Sequence, residues 1–138
     1  MALELHAFIG ERRLPTREDW QVAIAGLAFP VELDPGLKVR GAEGFVPCTL
    51  ESRPSGFELY TEPAAALLED YPELAEQVGN RSSAITFRWG GDLRECACVM
   101  AAAAGLAACS DALLYYPDDE EWYGIDDLRR DFDACRSG

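Results

Sequence analysis

The stretch AITFRWGGDLRECACVMAAAAGLAACSDALLYY (residues 84–116) contains a strand, a turn, a buried helix and a second strand. Ala84–Trp89 is β-branched and aromatic in the manner of a strand, and Gly90-Gly91 supplies the turn. Asp92 stands where a helix N-cap is wanted. From Leu93 to Ala108 the chain is apolar almost all round after its first turn, which predicts a helix buried in the core. Its alanines and Gly105 should let it approach a sheet closely. Ala112–Tyr116 then reads as a strand. Extending the reading upstream, the order from residue 57 is strand, helix, strand, helix, strand, and such alternation predicts crossover connections with some parallel pairing. Phe45–Glu51 and Phe57–Thr61, separated by Ser52-Arg53-Pro54-Ser55-Gly56, add an antiparallel hairpin. The expected fold is therefore a single α+β domain over residues 1–138, with a mixed, mainly antiparallel sheet packed against helices. A ferredoxin-like variant is compatible with that order.

The remaining elements fit around this frame. Leu3–Ile9 is a first strand. Thr16 should cap a helix whose apolar positions Trp20, Ala23, Ile24, Leu27 and Ala28 fall at helical spacing before Pro30. Residues 31–44 read as loops with a short strand at Leu37–Arg40. Glu62-Pro63 opens a helix that Pro72 must interrupt; a break near Asp70, with Asp70 recapping a second short helix, is expected. An acidic-aromatic loop over 117–124 and a short charged helix over 126–135 complete the chain.

Twenty-five acidic residues against 12 basic ones give a net charge of −13 over 138 residues. That balance argues against a nucleic-acid binder, which needs a basic stripe to displace phosphate counterions, and against binding to anionic membranes. It suits fast association with a positively charged partner. The first residues lack a signal peptide's basic start and apolar run. No uncharged apolar stretch reaches the length of a membrane span; the longest, Cys96–Cys109, is the length of a core helix. Five cysteines, an odd number without a disulfide framework, read as reduced thiols, and the expected compartment is the cytoplasm.

The charge is not spread evenly. Residues 50–79 carry seven acids against Arg53 alone, and residues 111–138 carry nine acids against three bases. Between them the segment 80–110 is nearly neutral, as a core should be.

Catalytic signatures are missing from this pattern. His6 is the only histidine and sits inside a strand, where a structural role is the default; no G-x-S-x-G elbow is present. Cys96-x-Cys98 on a helix splays its thiols about 200° apart, so it cannot be half of a zinc site. Asp118-Asp119-Glu120-Glu121 lacks the alternation of a calcium loop. Gly90-Gly91-Asp92 has no accompanying phosphate-loop lysine, and a capped strand-to-helix turn explains it. No catalytic residue, metal ligand or cofactor is assigned.

What remains is Pro117-Asp118-Asp119-Glu120-Glu121-Trp122-Tyr123-Gly124, four acids running into two large aromatics. Aromatic anchors ringed by charge have the composition of a protein-binding surface, although both rings could equally tuck the last helix onto the core. With that segment, Ser83–Leu106 (SAITFRWGGDLRECACVMAAAAGL) and Gly56–Tyr60 (GFELY), the chain resembles the immunity proteins that bacteria make against toxins delivered by contact-dependent or type VI secretion systems. The resemblance implies a cognate inhibitor without enzymatic activity that occludes a toxin's active site or substrate groove. The partner would be that toxin or another basic protein, without direct nucleic-acid or membrane binding; a homodimer stays open. The binding residues expected are Asp118, Asp119, Glu120, Glu121, Trp122, Tyr123, Asp126 and Asp127, with Glu69, Asp70 and Glu73 as a second patch. Two other readings stand beside it: a small enzyme or ligand-binding domain with a pocket near Gly90-Gly91-Asp92, and a structural subunit of a complex.

Overall fold

The computed structural model describes residues 2–137. Seven strands, β1 (Leu3–Ile9), β2 (Val31–Leu33), β3 (Glu43–Leu50), β4 (Arg53–Pro63), β5 (Ser83–Trp89), β6 (Leu113–Tyr116) and β7 (Glu121–Tyr123), form one sheet in the order β2-β3-β4-β5-β1-β6-β7. Five helices pack on it: α1 (Arg17–Gly26), α2 (Ala64–Leu68), α3 (Ala75–Val78), α4 (Leu93–Ser110) and α5 (Ile125–Ser137). The α+β class is as expected. The parallel component is not, because every strand pair is antiparallel. The reason lies at the N-terminus. β1 sits between β5 and β6, so the crossover through α4 joins two strands that run the same way but never touch. The α2–α3 excursion begins and ends at one end of the sheet, where Pro63 faces Ser83, and so joins antiparallel neighbours. The order is not ferredoxin-like.

Local chemistry explains most boundaries. Thr16 Oγ1 accepts from Asp19 N at 3.1 Å and starts α1. Asp92 accepts from the amides of Arg94 and Glu95 at 2.7 and 3.4 Å, and Glu95 reaches back to Gly90 N at 3.2 Å. Asp92 thus caps α4 while Glu95 closes the turn that precedes it.

The hairpin turn is shorter than the sequence suggests. It consists of Glu51-Ser52, both with positive φ (51° and 68°), the tight primed turn that matches strand twist. Arg53-Pro54-Ser55-Gly56 therefore belongs to β4. The expected strand at 37–40 is absent, and β2 forms instead at Val31–Leu33, paired with Leu50, Thr49 and Cys48. Asp70 does not recap a helix; Tyr71 precedes a 3-10 turn at Pro72–Leu74 and makes no side-chain cap. Glu121–Tyr123, expected as loop, is the edge strand β7.

The main core lies between the sheet and the layer of α1, α4 and α5. By length and composition α4 could cross a membrane, but 61% of it is buried inside the fold. Its small residues let α1 come close: Trp20 Nε1 donates to Ala102 O at 2.8 Å across the interface. A Cβ on Gly105 would stand 2.7 Å from Ile24 Cγ1 and 3.1 Å from Trp20 Cδ1. Gly105→Ala should therefore overpack this contact and cost about 1–3 kcal/mol, read as a lower urea midpoint with an unchanged slope. A gain in stability would show that the two helices can separate freely.

The cysteines are the largest correction. Cys96 on α4 and Cys135 on α5 form a disulfide, with Cα atoms 6.2 Å apart, so they are not among the reduced thiols expected. The helical splay of Cys96 and Cys98 accounts for this: one points at α5 and the other into the core. Cys48 and Cys98 are free and buried. The neighbouring Cys98 thiol, together with burial, holds Cys48 above the usual thiol range.

Candidate protein-binding face

The second face of the sheet is covered only in part. Cross-strand register arranges its side chains in three rows. One row runs Glu62–Ala84–Phe8–Leu113, and its Ala84, Phe8 and Leu113 lie in the smaller core with Leu67, Leu74 and Val78 from the α2–α3 segment. The middle row runs Glu43–Tyr60–Thr86–His6–Tyr115–Trp122 across six strands. The last row, Phe45–Glu58–Arg88–Glu4, is open: Phe45 is 64% exposed, and Arg88 is exposed between two carboxylates.

The middle row is an aromatic band. Tyr71 lies over it, its ring 5.6 Å from His6 and 5.8 Å from Tyr115; Trp122 meets Tyr115 edge-on at 5.2 Å and Phe8 at 6.0 Å. Carboxylates surround the band. Burial pushes the Tyr71 phenol up first, and Glu4 and Asp70 add to it. Burial likewise raises Tyr115, followed by Glu120 and Glu73. The Tyr60 hydroxyl donates to Glu58 and is raised chiefly by that bond. Glu120 from the turn of the β6–β7 hairpin and Asp70 and Glu73 from the helical segment thus flank one aromatic band, although 47 or more residues separate them in sequence.

His6 is the centre of this face and is 2% exposed. Its Nδ1 lies 2.9 Å from Thr86 Oγ1, while Nε2 is buried without a hydrogen-bond partner and stands 3.9 Å from Glu4 Oε1. Burial lowers its pKa from 6.5 to about 4, against an opposing pull from Asp70. The unfolded chain therefore takes up this proton first. The stability held by neutral His6 is complete above the unfolded pKa and is lost as pH falls toward the folded value. Between about pH 7 and pH 5 the fold should lose about 2 kcal/mol through this group. His6→Gln should flatten the pH dependence of the urea midpoint over that window; an unchanged slope would assign the acid sensitivity to other groups.

The residues expected from sequence are divided by the fold. Glu120, Asp70, Glu73 and half-buried Trp122 belong to the aromatic band. Tyr123 points to the other face and is core, 6% exposed, its hydroxyl donating to Asp119 at 2.6 Å. Asp127 accepts from Gly124 N at 2.9 Å and pairs with Arg130 at 3.5 Å, so it caps and anchors α5. Asp118 and Asp119 lie near Tyr116 on the same side as α5. Glu121 and Asp126 are exposed at the β7 edge and the start of α5, and Glu69 is exposed at the end of α2. Acids around a three-residue edge strand also deter edge-to-edge pairing.

Sequence reading missed Glu4, Glu43, Phe45, Glu58, Tyr60 and Arg88. The alternation of Glu58 and Tyr60 with Phe57 and Leu59 was a visible signal; the register that sets them beside Glu4 and Phe45 was not. Phe45 is held over Gly56, where a Cβ would come within 2.7 Å of its Cε1, so this exposed ring has a seat. At the Gly90–Asp92 turn, Glu95 accepts from the Gly90 amide, and Asp92 accepts from the amides of Arg94 and Glu95 that follow it, as a helix cap does. Comparisons with protein-family models, with curated proteins and with solved structures each returned no match, so function has to be argued from this face.

Proposed function

We propose that the chain is a non-enzymatic capture protein for a basic protein partner, of the kind that neutralises a bacterial toxin by covering its active site or substrate groove. The observation that carries this reading is the half-open sheet face, where Phe45, Tyr60, Tyr71 and Trp122 stand among six carboxylates (Glu4, Glu43, Glu58, Asp70, Glu73 and Glu120) with Arg88 as the base in their rows among the described residues. Seated aromatic rings supply binding energy in such surfaces, and the charge steers and selects. A net charge of −13 strengthens the attraction of any cationic partner at long range. A toxin that acts on nucleic acid fits best, because its own substrate groove must be basic. The cytoplasm, where such a toxin does its damage, is the compartment this reading proposes.

The test is co-expression with the product of the gene adjacent to its own in the source genome. Growth rescue from a toxic neighbour, together with a salt-sensitive complex of the two purified proteins, is the expected result. A metabolic enzyme as neighbour, with no complex formed, would overturn the toxin reading.

A further inference from the structure

Three of the chain's 12 basic residues gather at one place on the helical side of the sheet. Arg53 at the start of β4, Arg94 in the first turn of α4 and Arg136 near the end of α5 line a cleft of about 320 Å³ with Leu50 and Glu51. In a strongly acidic molecule this concavity holds three guanidinium groups against one carboxylate. Protein acceptors take up few of their donors. Arg136 Nε donates to Glu51 Oε1 at 2.7 Å and Arg94 Nη2 to Pro54 O at 3.1 Å. Arg53 makes no side-chain hydrogen bond or ion pair among the described residues. Each guanidinium carries five N–H donors in a fixed fork, so most of the donors here are unspent on protein. Clustering like charges also costs Coulomb energy that a bound anion would relieve. The Cys96–Cys135 disulfide ties together the two helix ends that carry Arg94 and Arg136, which keeps those two groups side by side.

We propose that this cleft binds a phosphate group, either inorganic phosphate or the terminal phosphate of a small nucleotide. A phosphate dianion matches the excess of two positive charges. Its tetrahedral oxygens can also meet forks arriving from three elements, whereas one carboxylate is satisfied by a single arginine. The volume is at the small end of ligand pockets, which fits a phosphate tail and not a folded polyanion. This inference is independent of the acidic face.

Calorimetric titration at constant ionic strength tests it, with inorganic phosphate in one arm and ADP in the other. Binding in both arms at equal affinity identifies the phosphate group as the ligand; tighter ADP binding identifies a nucleotide site. Arg53→Gln, which breaks no contact within the protein, should weaken binding at least tenfold. Arg12→Gln, an exposed arginine on another surface, should leave it unchanged. No heat or stabilisation beyond that of matched chloride, or equal binding by the two variants, would overturn the proposal. Partner capture measured in the same phosphate series should not change, which separates failure here from failure of the acidic-face reading.

Discussion

Replacing Glu43, Asp70, Glu73 and Glu120 together by lysine should slow association with the basic partner about 100-fold at low ionic strength, and should flatten the dependence of the rate on salt. Of these four, only Glu43 lies within a strand, and none makes a side-chain hydrogen bond or ion pair among the described residues, so the fold should persist. The loss arises because steering depends on the summed field in front of the docking surface, and these groups flank the aromatic band on both sides. Phe45→Ala should act differently. It removes a seated ring without touching the field, so its effect belongs mainly in the dissociation rate, at about 30-fold or more if the ring is an anchor. Asp118→Lys with Asp126→Lys is the control. These acids lie on the α5 side and at the start of that helix, and reversing them should change the association rate several-fold less. Surface plasmon resonance at two ionic strengths reads all three variants. If the control pair slows association as much as the face variant, the docking surface is the hairpin and α5, and not the sheet face.

That contrast marks where sequence reading stops. Periodicity, composition and capping predicted β1, α1, β5 and α4 within a residue or two, because each is decided by neighbours in the chain: Thr16 over α1, Asp92 over α4, the β-branched and aromatic run Ala84–Trp89. Pairing depends on distant neighbours. Nothing near residue 5 announces that β1 will enter between β5 and β6, yet that insertion removes all parallel pairing and puts His6 at the centre of a face. The acidic blocks were visible as composition. Their convergence was not, because it depends on β7 pairing with β6 and on Tyr71 folding back over His6 and Tyr115. A run of acids in one segment also had to be divided by strand geometry: successive residues of β7 point to opposite faces, so Trp122 joins the aromatic band while Tyr123 enters the core.

Reduction of the Cys96–Cys135 bond should destabilise the protein by about 4 kcal/mol, the loop-closure value for a 39-residue separation. The bond joins α4, which is locked into the core, to α5, which holds on through Leu128, Phe132 and the edge contact of Phe132 with Phe29 at 4.9 Å. Those contacts survive reduction, so α5 should stay helical and docked in the reduced protein at neutral pH, with the loss appearing in the denaturant midpoint. Cys135→Ser should reproduce the effect without reductant. Cys109→Ser, a change at a free and partly exposed thiol, should not. Equal midpoints for oxidised and reduced protein would mean that the unfolded chain gains nothing from opening the loop. The same bond bears on compartment, since disulfides persist in oxidising surroundings and are reduced in the cytosol of most cells. Alkylation in intact cells before lysis, completed on the unfolded protein without reductant so that buried Cys48 and Cys98 also react, distinguishes the two states by mass. Five modified cysteines place the chain in a reducing compartment, where α5 is held by packing alone; three place it in an oxidising one, with the two arginine-bearing helix ends tied together.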